Sequence, residues 1–143
     1  MPLDGTYEGE NIFAKIIRGE MPCVKVYEDE NVLAFMDVFP QSRGHTLVIP
    51  KAPSRNLLDA APDDLQHLIV KTQLIAKAVR RALSPDGIVI TQFNGAPAGQ
   101  TVFHLHFHII PRYKDQTVTP HASGQMADMD ALSEAANKIK SCL

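Results

Sequence analysis

Three histidines share one short segment of the chain. His104, His106 and His108 alternate with Leu105 and Phe107 in the run H-L-H-F-H-I-I, so half of the six histidines fall within five positions. A neutral imidazole is a nucleophile near pH 7 when a fixed acceptor holds its other nitrogen as a donor. Neighbouring imidazoles can donate hydrogen bonds to an anion or relay a proton. The cluster therefore indicates chemistry performed by the rings on an anionic substrate.

A metal site is the main alternative for clustered histidines. On an extended strand, alternate side chains share one face, and the Cα atoms of the outer pair lie roughly 13 Å apart. Three such rings cannot easily reach one Zn²⁺ ion at Zn–N distances of about 2.0–2.1 Å. Cys23 and Cys142 form no C-x-x-C pair, and no helix carries an H-x-x-x-H pair. We therefore predict no metal and no cofactor, and chance clustering on a polar sheet face explains the run poorly.

Two hydrophobic periods indicate the elements that position this row. Apolar residues at a spacing of three and four predict one long helix over 62–83, with Pro62 in its first turn. Shorter helices are expected over 11–19 and 129–139. Alternation and β-branched residues predict five strands, which are Val24–Glu28, Val32–Val38, His45–Pro50, Gly87–Asn94 and Thr101–Ile110.

Short connections between strands favour antiparallel pairing. The expected fold is α+β: an antiparallel sheet of about five strands with one long helix, a short N-terminal helix and a C-terminal helix. Pro111 is expected to end the last strand. Leu105, Phe107 and Ile109 should face the core of this sheet, which leaves the histidine row to line a cleft or meet solvent.

Composition limits the class of protein. The 143 residues are 45% hydrophobic and carry a net charge of −2, which suits a single domain over 11–143 with a flexible N-terminal arm over 1–10. No basic excess favours nucleic-acid binding. The polar N-terminus is unlike a signal peptide, no apolar run approaches the ~20 residues of a spanning helix, and the two distant cysteines suit a reducing compartment. We expect a soluble cytoplasmic protein with no membrane partner.

The histidine run resembles the H-φ-H-φ-H-φ-φ signature of the histidine-triad family of nucleotide hydrolases and transferases, where φ is an apolar residue. The resemblance covers roughly residues 11–113. It includes, in the same order, I-F-A-K-I-I-R-G-E-M-P, V-L-A-F-M-D-V-F-P-Q-S-R-G-H-T-L-V-I-P-K and N-G-A-P-A-G-Q-T-V. Several ordered motifs are far more specific than an isolated H-x-H-x-H.

The resemblance implies roles for the row. His106 would attack the α-phosphorus of a nucleotide and form a nucleotidyl-histidine that water then hydrolyses. His104 would fix the ring and tautomer of His106, and His108 would contact the phosphate. The resemblance also implies phosphate contacts by Asn94, Gln100 and Thr101, a border of the site at His45, ribose binding by Asp37, and a base pocket of Ile12, Phe13, Ile16, Phe35 and Val38.

Without the resemblance, several of these residues have simpler interpretations. The helical spacing of Ile12, Phe13 and Ile16 favours ordinary core positions. Asp37 is typical of a strand end and Asn94 of a turn. The other two histidines of the chain, on the long helix and in the loop before the C-terminal helix, are expected at the surface and receive no role.

Two departures from the family pattern refine the expected function. Some bacterial relatives bind structural zinc with a C-x-x-C where this chain has Asn11 and Ala14, so that zinc site is expected to be absent. Nucleotidyltransferases of the family usually have glutamine where this chain has His108, which favours hydrolysis. The substrate implied is a purine nucleotide, in the form of an AMP–amine conjugate.

The branch within the family is open to three interpretations. The N-terminal half resembles the purine nucleoside phosphoramidases, which is the favoured reading. G-Q-T-V-F-H-L-H-F-H-I-I-P-R also resembles dinucleoside polyphosphate hydrolases. A nucleotide-binding adaptor with little turnover would carry the same site residues. Relatives of this type form homodimers, commonly through the long helix and a neighbouring strand, so we also expect a homodimer.

Overall fold

Three helices and five strands form the computed structural model, which describes residues 2–116 and 126–143. The helices are α1 (Ile12–Ile17), α2 (Pro62–Leu83) and α3 (Met129–Lys140). The strands are β1 (Lys25–Glu28), β2 (Val32–Met36), β3 (Thr46–Pro50), β4 (Gly87–Thr91) and β5 (Phe107–Arg112). The expected α+β class is confirmed. Among the described residues no helix is long and apolar enough to cross a membrane.

The strands form one antiparallel sheet in the order β1-β2-β3-β5-β4. β5 is an interior strand: it pairs Phe107 with Val48 of β3 and Ile109 with Ile90 of β4. β4, beside β5, is an edge strand of the sheet. His108, on β5, is therefore held between Leu47 of β3 and Thr91 of β4, which fixes the register of the end of the histidine row.

The two faces of the sheet are covered by different elements. On one face, α2 and α3 cover a helix-side core of Val26, Val32, Ala34, Met36, Val48, Leu68, Ile75, Ala78, Val79, Leu105, Ile109, Leu132, Ala135, Ala136 and Ile139. On the other, the short α1 covers a pocket-side cluster of Phe13, Leu33, Phe35, Leu47 and Ile49. Successive residues of β2 and β3 enter opposite groups, as the two-residue period of a strand requires.

The long helix begins and ends where the sequence predicts. Pro62 is its first residue, where the missing N–H costs nothing, and Asp63 and Asp64 lie near its positive end. Arg80 and Arg81 occupy the last turn, and Ser84 ends the helix in a left-handed conformation with φ of 49°.

The predicted last strand is wrong in its bounds. Residues 101–106 lie outside the sheet, because the Leu105 N–H donates to the Ser54 carbonyl at 2.9 Å instead of joining the ladder. Pro111 does not end the strand, since β5 continues to Arg112 and Pro111 pairs with Ile88. Within β5, only residues 107–109 pair with β3. Pro111 therefore has a strand neighbour on one side only, where a proline is tolerated. The other strand ends agree with the predictions or differ from them by one to three residues.

The segment before α1 contacts the rest of the chain. The side chain of Arg55 donates to the carbonyls of Pro2 and Thr6, and Asn56 donates to that of Leu3. The flexibility expected for residues 1–10 stays a prediction. His67 is exposed on α2, as expected, whereas His121 lies outside the described residues.

Candidate active site

An apolar pocket of about 320 Å³ opens between α1 and the sheet. Eight predicted site residues line it: Ile12, Phe13, Ile16, Phe35, Asp37, Val38, Thr101 and His106. Sequence reasoning missed Pro22, Cys23, Met36, Phe39, Leu47 and Val102, of which Met36, Phe39 and Val102 adjoin a predicted residue in the chain. A mostly apolar cleft of this size with a few polar groups is typical of a small-ligand site.

His106 forms part of the pocket wall. Its ring meets the ring of Phe13 edge-on at 4.9 Å between centroids, and only 5% of the residue is exposed. Its Nδ1 lies 2.7 Å from the backbone carbonyl of His104. A carbonyl only accepts, so Nδ1 carries the proton of the neutral ring and Nε2 carries the lone pair. The geometry therefore makes Nε2 the nucleophilic nitrogen.

His104 is enclosed by protein. Its Nε2 lies 2.8 Å from the Pro50 carbonyl, which requires Nε2 to donate, and its Nδ1 lies 2.6 Å from the hydroxyl of Tyr7. Burial lowers the pKa of His104 below its usual 6.5, and the Pro50 carbonyl opposes this shift. The ring is thus a neutral Nε2–H tautomer. Tyr7 was not predicted, because it lies 97 residues away in the acidic arm.

His108 is held on the other side of the row by His45. The Gln41 N–H donates to His45 Nδ1 at 3.0 Å, so the proton of the neutral His45 ring is on Nε2. That Nε2 lies 3.0 Å from His108 Nδ1 and 3.4 Å from a carboxylate oxygen of Asp37. His108 Nδ1 accordingly accepts, and its own proton is on Nε2. This chain of donors makes His108 Nε2 an N–H donor.

The same three side chains raise the question of a metal. Asp37, His45 and His108 place potential ligand atoms within 4.8 Å of one another, a grouping that sequence reasoning did not foresee. A ligating histidine offers a lone pair from one nitrogen and donates a proton from the other. His45 instead accepts from Gln41 at Nδ1, so its Nε2 is protonated and cannot coordinate. The donor set in this arrangement fits a proton relay and does not fit a metal.

Asp37 connects this relay to the pocket. It lines the pocket although only 5% of it is exposed, and one of its carboxylate oxygens accepts from the Phe39 N–H at 2.8 Å. The other oxygen lies near His45. A carboxylate fixed in this way is suited to accept hydrogen bonds from hydroxyl groups of a ligand.

The loop before the row contains the remaining predicted residues. Gln100 is buried, and its side chain bonds only to backbone groups in these contacts. Its side-chain carbonyl accepts from the Gly95 N–H, and its amide donates to the carbonyls of Arg55 and Val102. Asn94 accepts from the Leu57 N–H. Only Thr101 of the three predicted phosphate contacts lines the pocket. The phosphate contacts of Asn94, Gln100 and Thr101 all stay predictions.

Gly44 shapes the chain just before His45. Its φ of +92° lies in the left-handed region that favours glycine, and a Cβ there would collide with Leu83 Cδ1 and lie 3.2 Å from Pro111 Cγ. The loop that carries Gln41 and His45 therefore passes close to the end of α2 and to β5. This close approach fixes the position of the His45 ring.

The row keeps the predicted sidedness although only part of it is a strand. Leu105 and Ile109 enter the helix-side core, and Phe107 packs against it. The rings of His106 and His108 lie 5.0 Å apart on the pocket side. The expected cleft is present, but His104 and His108 are fully buried and His106 alone of the row lines the pocket.

The fold and the histidine row together point to one protein family, and a comparison with known family models identifies the same family. Residues 18–115 match the model of the HIT domain. The chain therefore belongs to the histidine-triad (HIT) family, whose members are nucleotide-binding, hydrolase-like proteins.

Three relatives illustrate the range of the family. The chain is 37% identical over 138 residues to the adenylylsulfatase HINT3 of Arabidopsis thaliana, covering 96% of this chain and 70% of that protein. It is 51% identical, with a TM-score of 0.89, to a Hit-like protein involved in cell-cycle regulation from Bartonella henselae, covering 96% and 100% of the two chains. It is 35% identical, with a TM-score of 0.82, to a Zn-bound histidine-triad protein from Mycobacterium smegmatis, covering 93% and 92%.

Proposed function

We propose that this protein hydrolyses purine nucleoside phosphoramidates, in which AMP is joined to an amine, through a covalent nucleotidyl-His106. The observation that carries the proposal is the ring of His106. It forms the wall of an apolar pocket while its Nδ1 is bound to the His104 carbonyl, so Nε2 is the nucleophilic nitrogen.

The pocket suggests how the nucleotide binds. The purine would lie between Ile12, Ile16 and Phe35, where burial of its apolar faces supplies most of the affinity. The ribose hydroxyls would donate to the carboxylate of Asp37. The α-phosphate would then lie between His106 and His108, with Thr101 at the mouth of the pocket.

The reaction proceeds in two steps. In the first, His106 Nε2 forms a bond to the α-phosphorus and the P–N bond breaks; the leaving amine takes the electron pair of that bond and a proton from solvent, while His108 Nε2–H donates a hydrogen bond to a phosphate oxygen. His45 supports His108 from behind, through its own Nε2–H. In the second step, water attacks the phosphorus and loses a proton to solvent, the P–His106 bond breaks and AMP is released.

The Arabidopsis relative gives a second candidate substrate. Because that protein is an adenylylsulfatase, adenylyl sulfate belongs in the same assay. A diadenosine polyphosphate is the third substrate, because it distinguishes the dinucleoside polyphosphate hydrolases. We expect kcat/KM to be highest for an AMP–lysine-type phosphoramidate, and a higher value for either other substrate would reassign the branch.

The test of the mechanism follows AMP release from an adenosine phosphoramidate in EDTA. We expect full wild-type activity in EDTA, since no step uses a metal. His106→Ala should lower kcat by roughly 10³-fold or more, as for loss of a covalent nucleophile. His67→Ala, which removes an exposed histidine from α2, is the matched control. Full activity in His106→Ala would disprove the assignment.

Rapid quenching separates an enzyme from an adaptor. A nucleotidyl-protein should accumulate on brief mixing with substrate and be absent from His106→Ala. Tight AMP binding with no trapped intermediate and no turnover would instead favour a nucleotide-binding adaptor.

We further propose that the protein acts as a homodimer in the cytoplasm. Ile69 and Val70 of α2 and Ile90 of β4 are 50%, 58% and 42% exposed, and they border one shallow apolar groove beside the last strand of the sheet. Val70→Asp should convert a dimer to a monomer in sedimentation velocity, whereas Leu58→Asp, at an exposed leucine elsewhere, should not. Free Cys23 and Cys142 suit a reducing compartment.

A further inference from the structure

The segment before α1 is anchored on both sides of Tyr7. Before it, the Arg55 guanidinium donates to the carbonyls of Pro2 and Thr6 at 2.9 and 3.3 Å. After it, the Asn11 side chain donates to the Glu8 carbonyl at 2.7 Å. The backbone at residue 7 is thus fixed to two separate parts of the domain. Such anchoring lowers the entropy cost of holding one tyrosine against the histidine row.

The hydroxyl of Tyr7 reaches the buried end of that row. Its oxygen lies 2.6 Å from His104 Nδ1, and the two rings meet edge-on with centroids 5.6 Å apart. His104 Nε2 must donate to the Pro50 carbonyl, so Nδ1 has a lone pair and the Tyr7 hydroxyl is the donor. With His104 fully buried, this hydroxyl satisfies a nitrogen that would otherwise be costly to bury.

The position of His104 in turn determines that of His106. The backbone carbonyl of His104 accepts the Nδ1 proton of His106 at 2.7 Å. Because the ring and the carbonyl belong to one residue, a displacement of His104 that moves its backbone also moves the carbonyl that holds the His106 ring in the pocket wall. The hydrogen bonds run from Tyr7 to the His104 ring, and from the His104 backbone to the His106 ring.

We propose that Tyr7 is a positioning residue for the nucleophile, and that the N-terminal arm is a functional part of the active site. Tyr7 does not line the pocket and would not touch the nucleotide. Together with the Pro50 carbonyl it holds His104 in the Nε2–H tautomer, and the backbone carbonyl of His104 then holds the ring of His106. This role rests on the proposed nucleotidyl transfer to His106 for its kinetic consequence, but the tautomer of His104 does not depend on the reaction.

Tyr7→Phe tests the kinetic consequence, because it keeps the ring and removes the hydroxyl. We expect kcat for an adenosine phosphoramidate to fall about five- to tenfold, while KM stays within about twofold, since one hydrogen bond is lost outside the binding pocket. The matched control is Tyr27→Phe, which removes a hydroxyl that donates to Asp29 at 2.7 Å, away from the pocket. Equal kcat in both variants and the wild type would overturn the proposal.

Nitrogen-15 NMR of histidine-labelled protein tests the tautomer directly. We expect the wild type to show His104 as Nε2–H and His106 as Nδ1–H, and Tyr7→Phe to change the Nδ1 shift of His104. A wild-type His104 protonated on Nδ1 would refute the role even if Tyr7→Phe failed to fold. If the wild type does not hydrolyse phosphoramidates, the proposed function fails, whereas the NMR result still decides the placement of Tyr7.

Discussion

The two faces of the sheet use the same strands for different purposes. Ala34 of β2 enters the helix-side core, which two helices cover completely. The next residue, Phe35, enters the pocket-side cluster, where the six-residue α1 covers only part of the face. The uncovered part is the pocket. The helix-side face therefore holds most of the buried apolar residues, and the other face leaves apolar surface for a ligand.

The histidine row follows the same division. Leu105 and Ile109 lie in the helix-side core, while His106 and His108 lie on the pocket side. A shift of one residue would exchange the two sets, so the apolar residues hold the imidazoles in register. Changes on the helix side should therefore affect stability and changes on the pocket side should affect kinetics.

The largest effect on stability is expected from Ile75→Ala in α2. Ile75 is fully buried in the helix-side core, so truncation leaves a cavity and should lower the free energy of unfolding by about 2–5 kcal/mol. KM and kcat well below the melting temperature should be unchanged. Urea titration measures the loss, with Lys77→Ala on the exposed face of α2 as control. A change in KM without a loss of stability would contradict the division of the faces.

The pocket side should make stability depend on pH. Burial holds the pKa of His104 below 6.5 in the folded protein, so the unfolded chain binds its proton first as the pH falls. The free energy of unfolding is therefore unaffected by this group above pH 6.5 and falls as the pH drops below 6.5. For one proton, the slope of this fall is at most about 1.4 kcal/mol per pH unit.

Urea titrations between pH 8 and pH 5.5 would measure this slope. His104→Asn removes the titrating ring and should flatten the pH dependence below 6.5. A slope of equal size in His104→Asn would assign the effect to other groups.

The smallest effect is expected from Ile12→Ala at the mouth of the pocket. Ile12 is 45% exposed, so its truncation should cost little stability, but it lines the pocket and should raise KM about three- to tenfold. Steady-state kinetics with the adenosine phosphoramidate measure the change. Leu58→Ala, at a leucine that is 64% exposed outside the pocket, should leave KM unaltered. If both variants behave alike, Ile12 is only a surface residue.

Local signals explain which parts of the fold could be predicted. The bounds of α2 follow from Pro62, the spacing of its apolar residues and the S-P-D-G that comes after it, all of which lie in or beside the helix. The start of β5 could not be predicted in this way. Alternation from Thr101 to His106 suits an extended segment inside or outside a sheet. The Leu105 N–H donates to the carbonyl of Ser54, which lies about fifty residues earlier in the chain.

The same limit applies to the site. The order of motifs indicated His106, Phe13 and Phe35, and the structure brings them to one pocket. The partners that fix each tautomer are distant in the chain: Tyr7 for His104, and His45 for His108. Hydrogen bonds between residues 97 and 63 positions apart leave no periodic signal in a single sequence.

Gly44 has a consequence for how this sequence can vary. Its φ of +92° suits glycine, and a Cβ at this position would require the Leu83 side chain to move and would lie 3.2 Å from Pro111 Cγ. A library of single substitutions selected for activity should therefore be strongly depleted at position 44, although the residue neither touches the nucleotide nor carries a reactive group. Positions that tolerate few substitutions should therefore extend from the active site to the end of α2, where the Leu83 side chain limits the size of the residue allowed beside His45.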